Sequence, residues 1–413
     1  MPVGYLVSVM VVAVPTLFAL APPRSLPNLS FRLGLLLNEV PIVAFYWLVI
    51  WTALAVAQGD INTPGGRATL GLATLTTAGL AVIARRGLQA RPAVEQAMAE
   101  ALGADWRSAI DPELAARLRR RLPLARILLL PLSRRRLAVE RVADIPYGDA
   151  DRRNLLDLYR HPAHPSGGPV LIHLHGGGYT QGRKNTQSLP LLYRLASQGW
   201  VCVSANYRLR PAAQHPDHLI DLKKVIAWVR ANGPGYGADP ALLFVSGSSA
   251  GAHMAALAAL TPNDSSFQPG FEDANTSVTA AVGLNGWYGG GYYGQGEGGA
   301  SSPLASVRPD APPFFIAHGD HDPVAPVDVA RLFADTLAGV STNPVVYAEL
   351  PGAQHAFDLF GSLRFELVVD AIEAFTAWVR SSAARSDHDL RLEPEAPESP
   401  GRGDDSSPRP GPG

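Results

Sequence analysis

Residues 242–254 read Leu242-Leu243-Phe244-Val245-Ser246-Gly247-Ser248-Ser249-Ala250-Gly251-Ala252-His253-Met254. A short apolar run meets G-x-S-x-G, and an Ala/Leu-rich helical pattern follows at once, the strand–turn–helix setting of a nucleophile elbow. So sharp a turn strains the backbone of the serine, and the glycines on both sides let strand and helix pass close to it. Ser249 is thereby presented at the carboxyl end of a strand as a candidate nucleophile. The amide of Ala250 points from the helix N-terminus toward the place where an oxyanion would form.

Outward from the elbow, strand and helix patterns alternate, which predicts an α/β fold with a mostly parallel sheet covered on both faces. Strands are expected over 139–147, 155–159, 169–175, 200–205, 242–246, 279–284, 313–318 and 345–350. Helices are expected over 186–197, 219–231, 250–260, 327–337 and 363–381. Short Gly/Pro/Asp turns join the first strands, so the sheet should begin antiparallel.

Three places at strand ends carry chemistry. His175-Gly176-Gly177-Gly178-Tyr179 closes the third strand, and its successive glycines let backbone amides approach a ligand unhindered. Amides aimed at a charge that appears only in the transition state contribute roughly 3–4 kcal/mol each. A phosphate cradle is the rival use of such a loop, but neither the Lys-Ser/Thr ending nor the G-x-G-x-x-G spacing is present. An activated serine needs a base, and the base an orienting acid. His355 follows the last strand on a glycine-bearing loop, and Asp322 follows the strand before it. The order Ser249, Asp322, His355 is the one the α/β-hydrolase topology requires.

Each choice has competitors. Asp320 is a second candidate acid, set aside because Asp322 stands before Pro-Val, where the turn leads into a helix. His253 is four residues after Ser249 on the same helix and is read as packed under the elbow. His173 is read as a packing residue, His318 and His321 as turn residues, and His175 as a brace of the glycine loop together with Gly176. Asp358 stays open between a supporting partner of the site and a turn former.

The amino-terminal part differs in texture. Uncharged apolar segments run over 3–21, 40–57 and 68–84, each about 25–29 Å long as a helix, close to the hydrocarbon thickness of a bilayer. The third, with four threonines and two glycines, is the weakest of them. A buried helical hairpin is the alternative. Arg24 and Arg32 lie between the first two segments, and Arg85, Arg86 and Arg91 follow the third. The positive-inside rule then predicts a multi-pass cell-membrane protein with its N-terminus outside and its catalytic part in the cytoplasm. Residues 91–138 read as an arginine-rich helical linker or lid. Within it, 122–132 is too short to span, and either lies on the membrane surface or forms a solvated linker face. Residues 139–384 read as the catalytic domain and 385–413 as a disordered tail.

Composition agrees. The 413-residue chain is 47% hydrophobic and 17% charged with a net charge of −1, which excludes nucleic acid as an expected partner. Its single cysteine, Cys202, lies in an apolar run and is expected to pack as a small hydrophobe. No zinc-type Cys/His spacing occurs, so no metal and no cofactor is implied.

With these motifs in view, residues 139–382 resemble the hormone-sensitive-lipase-like branch of the α/β-hydrolase esterases. The resemblance rests on His175–Gly178, on Tyr207-Arg208-Leu209 followed by Pro211, on Gly247–Gly251, on Asp322-Pro323, and on Gly352-x-x-His355-x-Phe357. The three apolar segments ahead of it resemble membrane-anchored esterases of this branch in actinobacteria. It implies Ser249, Asp322 and His355 as a triad and the amides of Gly177, Gly178 and Ala250 as an oxyanion hole. It implies hydrolysis of short to medium acyl esters of small molecules, and the membrane anchoring predicted above adds a lipid ester as substrate and membrane lipid as neighbour. Ser248 stands where the family usually has Asp, and Asn206 where Asp is common. Residues 287–294 follow the sixth strand, where relatives can carry part of a cap. On the residues alone, an amidase, formamidase or peptidase on the same triad, or a non-catalytic membrane scaffold, stays open.

Overall fold

A computed structural model describes residues 3–23, 25–119, 121–132, 138–289, 299, 301–392 and 411. Arg24, Arg120, Arg134–Arg136, the 290–294 half of the aromatic–glycine segment and the tail beyond 392, apart from residue 411, lie outside the described residues.

The α/β part is built on one eight-stranded sheet. Its strands are β1 (Glu140–Pro146), β2 (Leu155–Arg160), β3 (Gly168–Leu174), β4 (Val201–Ala205), β5 (Ala238–Ser248), β6 (Ala280–Leu284), β7 (Phe314–Gly319) and β8 (Val345–Leu350). Their spatial order is β1-β2-β4-β3-β5-β6-β7-β8. β1 and β2 run antiparallel to their neighbours, and the rest are parallel. Every residue of β3, β4, β6 and β7 is buried, which explains why these strands read as continuous apolar runs rather than alternating ones. The carboxyl ends of β5, β7 and β8 therefore share one rim.

Helices cover both faces. One is packed by α9 (Asp217–Asn232), α10 (Ala250–Leu260) and α11 (Val327–Val340). The other is packed by α5 (Ala90–Leu102), α8 (Leu189–Ala196) and α12 (Leu363–Leu392). The sequence reading of 91–138 as a linker needs correction here. Val94, Ala97 and Met98 of α5, with Trp106 and Ile110, are buried in the same core as Phe365 and Val368 of α12. Two short helices, α6 (Pro112–Arg117) and α7 (Leu124–Leu129), complete that stretch. The start of the expected tail also differs, because α12 continues to Leu392.

Before α5 come α1 (Val3–Leu20), α2 (Pro27–Glu39), α3 (Pro41–Ala57) and α4 (Pro64–Leu88). α1 and the continuous α4–α5 stretch are each long and apolar enough to cross a membrane. α3 reaches that standard only when joined to α2, from which it bends by 81°. Tyr5, Val9, Leu48, Leu80 and Ile83 fill the centre of this bundle. Its outer faces leave Val7, Val11, Leu17, Ile50 and Leu75 exposed. α2 has no counterpart in the sequence reading, where its residues were a connection between apolar segments.

Candidate active site

β5 delivers Ser249 to the rim. Its φ of 53° and ψ of −116° lie outside the regions that L-residues favour, and α10 starts at the next residue. The close approach explains the elbow glycine: a Cβ on Gly251 would stand 2.1 Å from the carbonyl oxygen of Leu174. The amide of Ser249 donates to the carbonyl of Leu284 at the end of β6 (2.9 Å), which pins the turn.

His355 reaches the serine from the loop after β8. Its Nε2 lies 2.9 Å from Ser249 Oγ, and its Nδ1 lies 2.7 Å from Asp322 Oδ2. The other carboxylate oxygen of Asp322 accepts the amides of Val324 and Ala325, both at 2.8 Å. A carboxylate held by two amides at one oxygen presents the other to the imidazole in a fixed direction. Nδ1–H then donates to Asp322, and the unprotonated Nε2 is free to accept the serine proton. Asp320, the competitor, is engaged elsewhere, since its Oδ1 accepts the amide of Gly352 (2.6 Å) and ties the histidine loop to the acid loop. His318 donates Nε2–H to Ala325 (2.8 Å), and burial lowers its pKa below the ordinary value, so it adds no charge beside Asp322.

The glycine loop lies against the nucleophile, since a Cβ on Gly176 would come within 2.9 Å of Ser249 Cβ. The chain turns through positive φ at Gly177 (115°) and Gly178 (62°). Among the described residues, the amides of Gly177, Gly178 and Ala250 have no hydrogen-bond acceptor in the protein. Gly176 differs from them, donating its amide to Gln187 Oε1 at 2.5 Å. His175 Nδ1–H donates to the carbonyl of Gly176 (2.7 Å), and its ring stacks on Tyr207 at 4.4 Å. Burial holds its pKa down at about 4, which keeps the ring neutral and suits it to bracing. His253 is buried under the elbow against the hydroxyl of Tyr179 (2.7 Å), and burial lowers it to about 3.

One contact at the site comes from outside the α/β part. Phe31 of α2 meets His355 edge-on, with ring centroids 5.8 Å apart. The neighbouring Gln354 donates Nε2–H to the carbonyl of Phe18 in α1 (3.0 Å). Arg86 at the end of α4 donates to the carbonyl of Leu20 (2.8 Å) and packs against Gly352. Glu39 accepts from Ser362 (2.8 Å) and pairs with Arg364 of α12, and both charged side chains are only 1% exposed. Sequence reasoning missed Phe31, Gln354 and the pair of Glu39 with Arg364, and read Arg86 only as a signal of membrane orientation. The available signal was Pro27 at a helix start followed by apolar residues around a single arginine.

Ser249 is largely buried but keeps 7% of its surface exposed. A hydroxyl, an imidazole and a carboxylate in hydrogen-bonded sequence, beside unengaged amides, can carry out acyl transfer without a metal.

Residues 156–289 match the family described as BD-FAE. The chain is 37% identical over 382 residues to the probable carboxylic ester hydrolase LipM of Mycobacterium tuberculosis, covering 85% of this chain and 86% of that protein. It is 40% identical over 308 residues to esterase LipQ of the same organism, covering 68% of this chain and 72% of LipQ. Among solved structures, an inhibited esterase B from Lactobacillus rhamnosis superposes with a TM-score of 0.52 at 20% identity, over 62% of this chain and 91% of that one. That likeness shows the α/β-hydrolase fold.

Proposed function

The chain belongs to the carboxylic ester hydrolase family of LipM and LipQ, and from that premise we propose that it is a membrane-anchored serine esterase working through Ser249, His355 and Asp322. Ser249 Oγ attacks the ester carbonyl while His355 Nε2 takes its proton. Asp322 holds the imidazole in the required tautomer and stabilises the imidazolium. The oxyanion of the tetrahedral intermediate accepts from the amides of Gly177, Gly178 and Ala250. His355 then protonates the departing alcohol, and water activated by the same imidazole releases the acid. The observation that supports this reading most is the continuous hydrogen-bonded path from Ser249 Oγ through His355 to Asp322.

In this proposal α1, α3 and α4 cross the membrane, and residues 1–90 are the anchor of a catalytic domain over 139–384. α1 and α4 both end at the catalytic part, and α2 lies crosswise to α3 between bundle and active site. The exposed Val, Leu and Ile side chains of the bundle support the placement, because water disfavours such a surface and lipid does not. With three spans and arginines at the catalytic end, that domain faces the cytoplasm. Esters of short to medium acyl chains, including those carried by membrane lipids, are then delivered in the plane where α2 lies.

The test uses membranes bearing the full chain or its Ser249→Ala variant, assayed on esters of graded chain length, lipid esters and matched amides. Ester turnover lost in Ser249→Ala supports the proposal. Turnover of amides above the matched esters overturns the esterase assignment. A C-terminal reporter silent in the cytoplasm overturns the sidedness.

A further inference from the structure

Three residues beyond His355 lies Asp358, fully buried. Among the described residues no lysine or arginine pairs with its carboxylate. Oδ2 instead accepts from Ser248 Oγ (2.5 Å) and Ser188 Oγ (2.7 Å), and Oδ1 accepts from Asn285 Nδ2 (3.2 Å). Its backbone carbonyl accepts the amide of Ser188 (3.2 Å). A buried carboxylate without a cation is costly unless donors of this kind satisfy its oxygens.

The donors come from separate parts of the machinery. Ser248 immediately precedes the nucleophile. Asn285 follows Leu284, whose carbonyl receives the amide of Ser249. Ser188 follows Gln187, whose side chain receives the amide of Gly176 in the glycine loop. Asp358 itself belongs to the loop that carries His355. Of the nine non-glycine residues with positive φ among the described residues, four belong to this cluster or adjoin it: Ser188, Ser249, Asn285 and Ala356. Strained backbone persists only where its surroundings over-determine it, and here Ser188 and Asn285 donate to the carboxylate directly while Ser249 and Ala356 lie within two residues of Ser248 and Asp358.

We propose that Asp358 is a positioning residue whose carboxylate locks the elbow, the glycine loop and the histidine loop in mutual register, so that Ser249, the oxyanion amides and His355 meet in reacting geometry. The proposal rests on the triad assignment above. It requires nothing of Asp358 in substrate binding, because the side chain is buried behind the residues that would touch the ester.

Three variants of the full chain in membranes test it, with kcat and KM measured on one soluble ester. Asp358→Asn keeps the shape of the side chain but exchanges an acceptor oxygen for a donor, and should lower kcat roughly 100-fold with KM within threefold, the scale of a small misplacement of reacting groups. Ser188→Ala removes one donor and should lower kcat about fivefold. The exchange variant S248D/D358S moves the carboxylate to the other end of the same hydrogen bond and should recover at least about tenfold of the loss. A folded Asp358→Asn with wild-type kcat overturns the proposal, as does an exchange variant no better than Asp358→Asn. If Asp358→Asn does not fold, Ser188→Ala decides: reduced kcat at constant KM supports the lock, and wild-type kcat refutes it. Ser249→Ala separates the two layers. If that variant is inactive while Asp358→Asn retains full kcat, the lock falls and the triad stands. If Ser249→Ala keeps its turnover, both fall.

Discussion

Two regions of this molecule converge on His355 and differ in how they hold it. From the sheet side, Asp322 and Ser249 grip the imidazole through hydrogen bonds at 2.7 and 2.9 Å. From the bundle side, α1, α2 and α4 press on the same loop through Phe31, through the carbonyl of Phe18 and through Arg86. The first grip is short-range, directional and carried by motif residues at strand ends. The second is mostly shape and burial, delivered by helices that lie at the opposite end of the chain. The amino-terminal helices are therefore packed against the loop that carries His355, and are not merely joined to the α/β part by the chain.

That contrast can be broken by perturbing each side in turn. The largest effect is expected on the sheet side. His355→Ala and Asp322→Asn should each lower kcat on the order of 10⁴-fold or more while leaving the fold intact, because base and orienter act as a unit with the nucleophile. Steady-state kinetics on a chromogenic ester, with circular dichroism as the folding control, checks this.

On the bundle side, the largest effect should be on stability. Glu39→Gln leaves Arg364 buried without its counter-charge and should destabilise the full chain by about 3–5 kcal/mol. The double variant Glu39→Leu/Arg364→Met should lose less than either single change. Denaturation of protein in lipid nanodiscs measures both. If the single variants are neutral, α2 is not held to α12 by that pair.

Acid should act chiefly beneath the sheet-side grip. Burial holds His175 at about 4 and His253 at about 3, against an ordinary value of 6.5. Above pH 6.5 both histidines are neutral, folded or unfolded, and their contribution to stability is complete. Below it the unfolded chain takes up protons that the folded chain refuses. Stability should therefore fall as pH drops from 6.5 toward 4, by about 1.4 kcal/mol per pH unit for each histidine. Replacing His253 by Gln should reduce that slope by one proton.

The smallest effect belongs to Phe31→Ala. An edge-on aromatic contact contributes about 0.5–1.5 kcal/mol, so kcat should fall no more than roughly tenfold. A change in chain-length preference larger than the change in kcat would show that Phe31 meets the acyl chain as well as the imidazole.

How legible each region was in the sequence follows from the same contrast. Strand ends, glycine turns and a nucleophile elbow are local backbone events, so the eight strands and the placement of Ser249, Asp322 and His355 just after three of them can be read from motifs and spacing, whereas the spatial order of the strands cannot. The partner set of Asp358 could not be read, because Ser188, Ser248 and Asn285 meet it only after the chain has folded. α2 was hidden for another reason. Arg32 interrupts its apolar pattern, and its partners Gln354, His355 and Arg364 lie at the far end of the chain. α5 was legible in principle, since Val94, Ala97 and Met98 have the spacing of one helical face, but the surrounding arginines made the stretch read as a linker.

The most direct measurement is covalent labelling of the full chain in membranes with a fluorophosphonate, followed by mass spectrometric mapping of the modified serine. The expected result is a single adduct on Ser249, absent from Ser249→Ala and strongly slowed in His355→Ala. A folded protein that hydrolyses esters yet carries its adduct on another serine, or labels equally fast without the imidazole, would contradict it.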